Sequence, residues 1–171
     1  MDEINKSEFK DTESVKKLVK RYNINALLFA LGIFIIIIAI IPYFFIKNEN
    51  ITNKILPSLI IFAVGIILIV IGKIRMGKIR ESVDEKYTVT AFEYIDLQRK
   101  SYNKIFRKDL VIGILLIILI PLIYFLITNS TNYVANKMSK YLYTILFLLL
   151  ALAVFMITYS KGKKDSYKIL G

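Results

Sequence analysis

The side chains that do most protein chemistry are scarce in this 171-residue sequence, which has no histidine and no cysteine. That removes imidazole proton relays, histidine-containing triads, thiolate metal sites, disulfides and thiol nucleophiles. Among the carboxylates one spacing stands out: Glu93 and Asp96, three apart, share a face if their segment is helical. On a strongly charged segment such a pair reads as a solvated helix face, so no enzyme activity, catalytic residue, metal site or cofactor is expected. The cations are better organised. Lys16, Lys17, Lys20 and Arg21 alternate with Val15, Leu18, Val19 and Tyr22. Further on, Arg99, Lys100, Lys104, Arg107 and Lys108 surround Phe92, Ile95, Tyr102, Ile105 and Phe106, which recur at roughly helical spacing. Two basic amphipathic helices at a membrane surface would show this pattern, with Thr90 to Glu93 as a capping box for the second. These nine cations are the candidate contacts to anionic headgroups or to a protein partner.

The elements that position them are four apolar blocks. Overall, 56% of the residues are hydrophobic and 22% charged, and the two kinds are segregated along the chain. Residues 24–46, 55–72, 110–127 and 141–160 contain no Asp, Glu, Lys or Arg. Each has about the 17–25 residues that a helix needs to cross a bilayer core. A backbone in lipid must satisfy its own hydrogen bonds, so helices are expected. The first block follows a largely polar segment of 23 residues and is too long for a signal-peptide core, so it should persist as an anchor. Abundant Ile, Lys, Asn and Tyr suggest an AT-rich bacterial genome.

Lysine and arginine set the orientation. Twenty lie before the first block, in the 73–108 stretch or after the fourth block, and four lie in the two remaining loops. By the positive-inside rule both termini and the middle stretch face the cytoplasm. The same bias accounts for the net charge of +11. No recognition helix, Gly-rich loop or zinc pattern accompanies it, so nucleic-acid binding is not expected. The predicted organisation is a cytoplasmic segment 1–23, a hairpin 24–72, a basic linker 73–109, a second hairpin 110–160 and a basic tail 161–171. Tyr43, Tyr141 and Tyr143 would form an outer aromatic belt, with Tyr22, Tyr102 and Tyr159 as an inner one.

The halves resemble each other. Ile41-Pro42-Tyr43 and Ile120-Pro121-Leu122 each precede a polar outer loop, and Gly72-Lys73 and Gly162-Lys163 close the two returns. A duplicated hairpin with an even number of spans predicts a pseudo-two-fold axis along the membrane normal. Pro42, near the end of its block, should stop the first helix, and Pro121, deeper in its block, should kink the third. Ser58, Gly65 and Gly72 recur every seven residues as a packing stripe, which Ala26 and Ala30 could face. The most polar residues within the spans are Asn25, Ser58 and Thr144, and no ionisable group serves a proton relay there.

The first-helix pattern of Gly32 to Pro42 and Gly113 to Pro121, with Gly162, Ser166, Tyr167, Ile169 and Leu170 at the exit, resembles the duplicated two-hairpin membrane region of some Firmicutes helix-turn-helix (XRE-type) regulators. The same region occurs as free-standing small membrane proteins. The 171 residues include no DNA-binding domain. The resemblance implies an all-α integral membrane protein of the bacterial cytoplasmic membrane, with four transmembrane helices as two parallel-repeated hairpins. It carries over no catalytic or ligand residue. The leading expectation is a non-enzymatic regulatory, sensing or scaffolding module. Its partners would be anionic lipid headgroups, a membrane or cytoplasmic protein, or a second copy of itself. Alternatives are a self-immunity protein against a membrane-active bacteriocin and a membrane subunit of an export system.

Overall fold

The computed structural model describes residues 11–46, 50–83, 88–130 and 132–170, with the side chains of residues 130 and 132–139 left aside. The first ten residues, Lys47 and Lys86, and the side chain of Lys137, all counted in the charge asymmetry, lie outside the described set. The described residues fold into five helices: α1 (Thr12–Ile38), α2 (Ile41–Phe45), α3 (Ile51–Glu81), α4 (Val89–Ser130) and α5 (Asn132–Lys168). No strand occurs among them. Four helical stretches are long and apolar enough to cross a membrane, as in a multi-pass membrane protein.

Local chemistry sets the helix ends. Asp11 caps α1, its carboxylate accepting from Ser14 N at 2.7 Å. That bond holds the Asp11 carboxyl below the usual carboxylate range. Asn50 caps α3 by accepting from Thr52 N at 3.0 Å. The α4 cap is Thr88, whose hydroxyl accepts from Ala91 N at 3.2 Å. Thr90, predicted as the cap, already lies inside the helix.

Within the first block, where Pro42 was expected to stop the helix, α1 ends at Ile38 and α2 resumes at Ile41. Pro42 has no N–H to give the Ile38 carbonyl, so the break falls just before the proline. Beyond Gly72, α3 continues to Glu81, so the predicted linker begins as helix. On the far side α4 reaches Ser130 and α5 begins at Asn132, where a polar loop was predicted. Pro121 lies inside α4, which remains helical on both sides of it. Pro121 has no N–H to give the Ile117 carbonyl, and a missing bond is tolerable in a long membrane helix.

The helices stand in a row: α3 packs on α1, α1 on α5, and α5 on α4. The flanking helices bury less of their most apolar window than the central ones, 11% and 6% for α3 and α4 against 28% and 22% for α1 and α5. Most of the exposed large apolar residues, such as Leu59, Ile67, Ile118 and Phe125, lie on those outer helices. In this row the second hairpin lies beside the first by a shift along the row. The expected two-fold would pack α3 on α4 as closely as α1 on α5, and no such contact joins α3 to α4 among the described residues.

The α1–α3 seam depends on close backbone approach. A Cβ on Gly32 would lie 2.7 Å from the Gly65 carbonyl oxygen, and one on Gly65 would lie 2.9 Å from the Gly32 oxygen. A Cβ on Gly72 would lie 2.9 Å from the Asn25 oxygen. Residues 25 and 32 on α1, seven apart, therefore meet 72 and 65 on α3; one step further, Ala39, the residue that caps α1, and Ser58 line one cleft where the seam opens. The expectation for Ala26 and Ala30 is corrected. Ala26 faces α5, where a Cβ on Gly162 would lie 2.5 Å from its methyl group. Ala30, one turn on, lies on that same face of α1, and both alanines are buried.

Candidate functional site

The chain brings its described terminal residues, Asp11 and Leu170, to one end of the bundle, here the near end. Val15 and Val19 of α1, Ala91 and Ile95 of α4, and Tyr167 and Leu170 at the end of the chain form one buried cluster there. It lies beyond the four apolar blocks, so the near end is a packed helical platform. Tyr102 stacks on Tyr167 with ring centroids 5.1 Å apart. Ser166, fully buried, donates its hydroxyl proton to the Lys163 carbonyl at 2.7 Å. The two apolar stripes predicted to lie on headgroups are thus partly packed on each other. Phe92 and Ile105 remain exposed, as do Val89 and Leu97.

All nine predicted contact cations are exposed on α1 or α4. Lys17 pairs with Glu13 at 3.1 Å and Lys100 with Asp96 at 2.7 Å, both one turn apart on a solvated surface. Such pairs contribute about 0.3–0.5 kcal/mol each. Lys16 sits over the Tyr94 ring, 5.3 Å from its centroid. Asp96 is therefore engaged by Lys100. No group of three or more potential metal ligands occurs among the described residues.

Two clefts flank the near end of the α1–α3 seam. The larger, about 500 Å³, lies between α3 and α5 over α1, with Phe29, Ile33 and Ile157 as apolar lining and Lys73, Lys161 and Asp165 at its rim. The second, about 310 Å³, is lined by Arg21, Ile24, Asn25, Arg75, Lys78 and Ile79. Asn25 is buried and donates its side-chain amide to the Arg21 carbonyl at 2.9 Å. Of these cations only Arg21 was singled out from sequence. Arg75 and Lys78 were read as part of a linker, although their three-residue spacing on an extended α3 puts them on one face.

At the far end α2 turns back onto α5. Phe44 lies against Tyr143 and Phe147, with centroids 5.6 and 6.0 Å away. Phe45 meets Tyr141 edge-on at 5.6 Å, and Lys54 sits 4.2 Å over the Tyr43 ring. Of the tyrosines expected in an outer belt, Tyr43 and Tyr143 thus both meet the Phe44 ring, and Tyr141 pairs with Phe45. Sequence reasoning missed three packing residues: Gly32, Gly113 and Gly162. For Gly32 the signal available was the fixed step of seven on both α1 and α3; Gly113 and Gly162 had no such periodic signal. No family model, curated protein or solved structure matches this chain.

Proposed function

We propose that this chain is a non-enzymatic four-span protein of a bacterial cytoplasmic membrane, with both termini inside, acting as a regulatory or scaffolding module. Its two hairpins are read as a duplication, with Gly32 and Gly113 as the close-packing residues of each first span. The reading rests on one observation: the near-end platform of α1, α4 and the chain's last turns is packed outside the apolar blocks and exposes cations and aromatics together. A chain that only needed anchoring would gain nothing from a folded cytoplasmic surface of that kind. The platform exposes Phe92 and Leu97 on α4, with Lys16 and Lys20 on α1 and Lys104, Arg107 and Lys108 further along α4, a combination suited to an extended acidic protein surface with an apolar spot.

The test is a photo-crosslinking residue at position 92, compared with one at the exposed apolar position 118, in cells carrying the full chain. A discrete protein adduct at 92, absent at 118 and lost when Arg99, Lys100, Lys104, Arg107 and Lys108 become Gln, supports the module. Equal adducts from both positions, or retention of the adduct in the Gln variant, overturns it.

A further inference from the structure

We propose that the cleft between the near ends of α1 and α3 is a binding site for one anionic glycerophospholipid, with Arg21, Arg75 and Lys78 holding its phosphate. Three cations line this cleft and no carboxylate does. Among the described residues none of the three side chains is paired with an acidic group, whereas Lys17 and Lys100 elsewhere on the platform are. Like charges gathered in one place repel, and an anion between them removes that cost. Two guanidiniums and an ammonium suit a phosphate: the planar forks give paired charge-assisted hydrogen bonds and the lysine adds a point charge.

The position selects a lipid over a free phosphate. The cleft lies where the first apolar block begins at Ile24 and just beyond the point where Gly72 closes onto Asn25. Its cations therefore stand at headgroup depth. Ile24, half exposed, and Ile79 give the glycerol backbone and first methylenes an apolar surface. Basic pockets between membrane helices on the cytoplasmic side are suited to such headgroups. Both arginines sit on helices fixed to each other by the Gly65 and Gly72 contacts, so the site is preformed.

This inference rests on the proposed insertion with near end inside, and its test keeps the two apart. The full chain in mild detergent is titrated with phosphatidylglycerol, phosphatidylcholine or inorganic phosphate and examined by native mass spectrometry. One phosphatidylglycerol should be retained in preference to phosphatidylcholine. The Arg21→Gln/Arg75→Gln/Lys78→Gln variant should lose that retention by about tenfold, as expected when charge-assisted phosphate contacts are removed. A variant with equal charge loss on α4, Arg99→Gln/Lys104→Gln/Lys108→Gln, should retain the lipid. Arg75→Lys, which keeps the charge and the fold, should weaken it by a smaller factor. Equal loss in both triple variants, no loss in the first, or displacement by equimolar inorganic phosphate overturns the lipid site. Single cysteines placed at residues 12 and 168 report orientation independently: labelling from outside intact cells would overturn the insertion whatever the lipid result.

Discussion

The two hairpins solve the same packing problem with different tolerances. In the first, Gly32 and Gly65 meet across the α1–α3 seam and the atoms nearest each absent side chain include backbone. In the second, Gly113 of α4 faces the Ile157 side chain of α5, whose Cγ1 and Cδ1 would lie 2.5 and 2.6 Å from an added Cβ, while the nearest backbone atom, the Ala153 carbonyl oxygen, would stand further off at 3.2 Å. Backbone cannot step aside without moving a helix, whereas an isoleucine tip can change rotamer. The prolines differ in the same sense. Pro42 separates α1 from α2 and lets Phe44 reach α5, while Pro121 sits in an unbroken α4. Packing is the main attraction between helices in lipid, so the first hairpin is the rigid half and the second the forgiving one.

The largest expected effect tests that rigidity. Gly32→Ala should cost about 3 kcal/mol, the upper part of the overpacking range, because neither helix backbone can yield. Unfolding in mixed detergent–SDS micelles measures it, and a cost below that of the corresponding change in the second hairpin would reverse the comparison. That change, Gly113→Ala, should cost about 1 kcal/mol, at the lower edge of the same range. Trimming both clashing atoms should relieve it: Gly113→Ala ought to cost less in an Ile157→Ala background, which lacks Cγ1 and Cδ1, than in the parent, and a strictly additive pair would show that Ile157 is not the obstacle. The smallest effect lies away from either seam. Gly77, in the α3 extension, has nothing within 4 Å of an added Cβ, so Gly77→Ala should stabilise the helix by about 0.5–1 kcal/mol. A loss there would mean that another surface covers this part of α3.

The spans were legible because lipid selects for long uncharged blocks, and that signal is nearly independent of tertiary detail. Their ends were less so. The break before Pro42, the Thr88 cap and the helical residues after 132 depend on which single hydrogen bond forms, and neighbouring candidates such as Thr90 look equivalent in the sequence. Gly65 and Gly72 were recognised as packing residues, but their partners were misassigned. A small residue announces a close approach without saying which helix comes close, so Ala26 was paired with α3 when it faces Gly162 of α5. The cation cleft was hidden for a related reason. Arg75 and Lys78 join Arg21 only when α3 is known to continue beyond Gly72 and to lie against α1.

At 42 residues, α4 is about 63 Å long at 1.5 Å per residue, roughly twice the thickness of a bilayer's hydrocarbon layer. Such a rod behaves as a lever. With its pivot near the bilayer midplane, a change of about 5° in slant swings Val89 through about 4 Å, given that rise per residue. Thinning, thickening or stretching of the surrounding lipid alters slant before it alters helical structure. Because Ala91 and Ile95 pack against α1 and the chain's last turns, a displacement of that size would be handed on to the whole platform and not taken up by a free end.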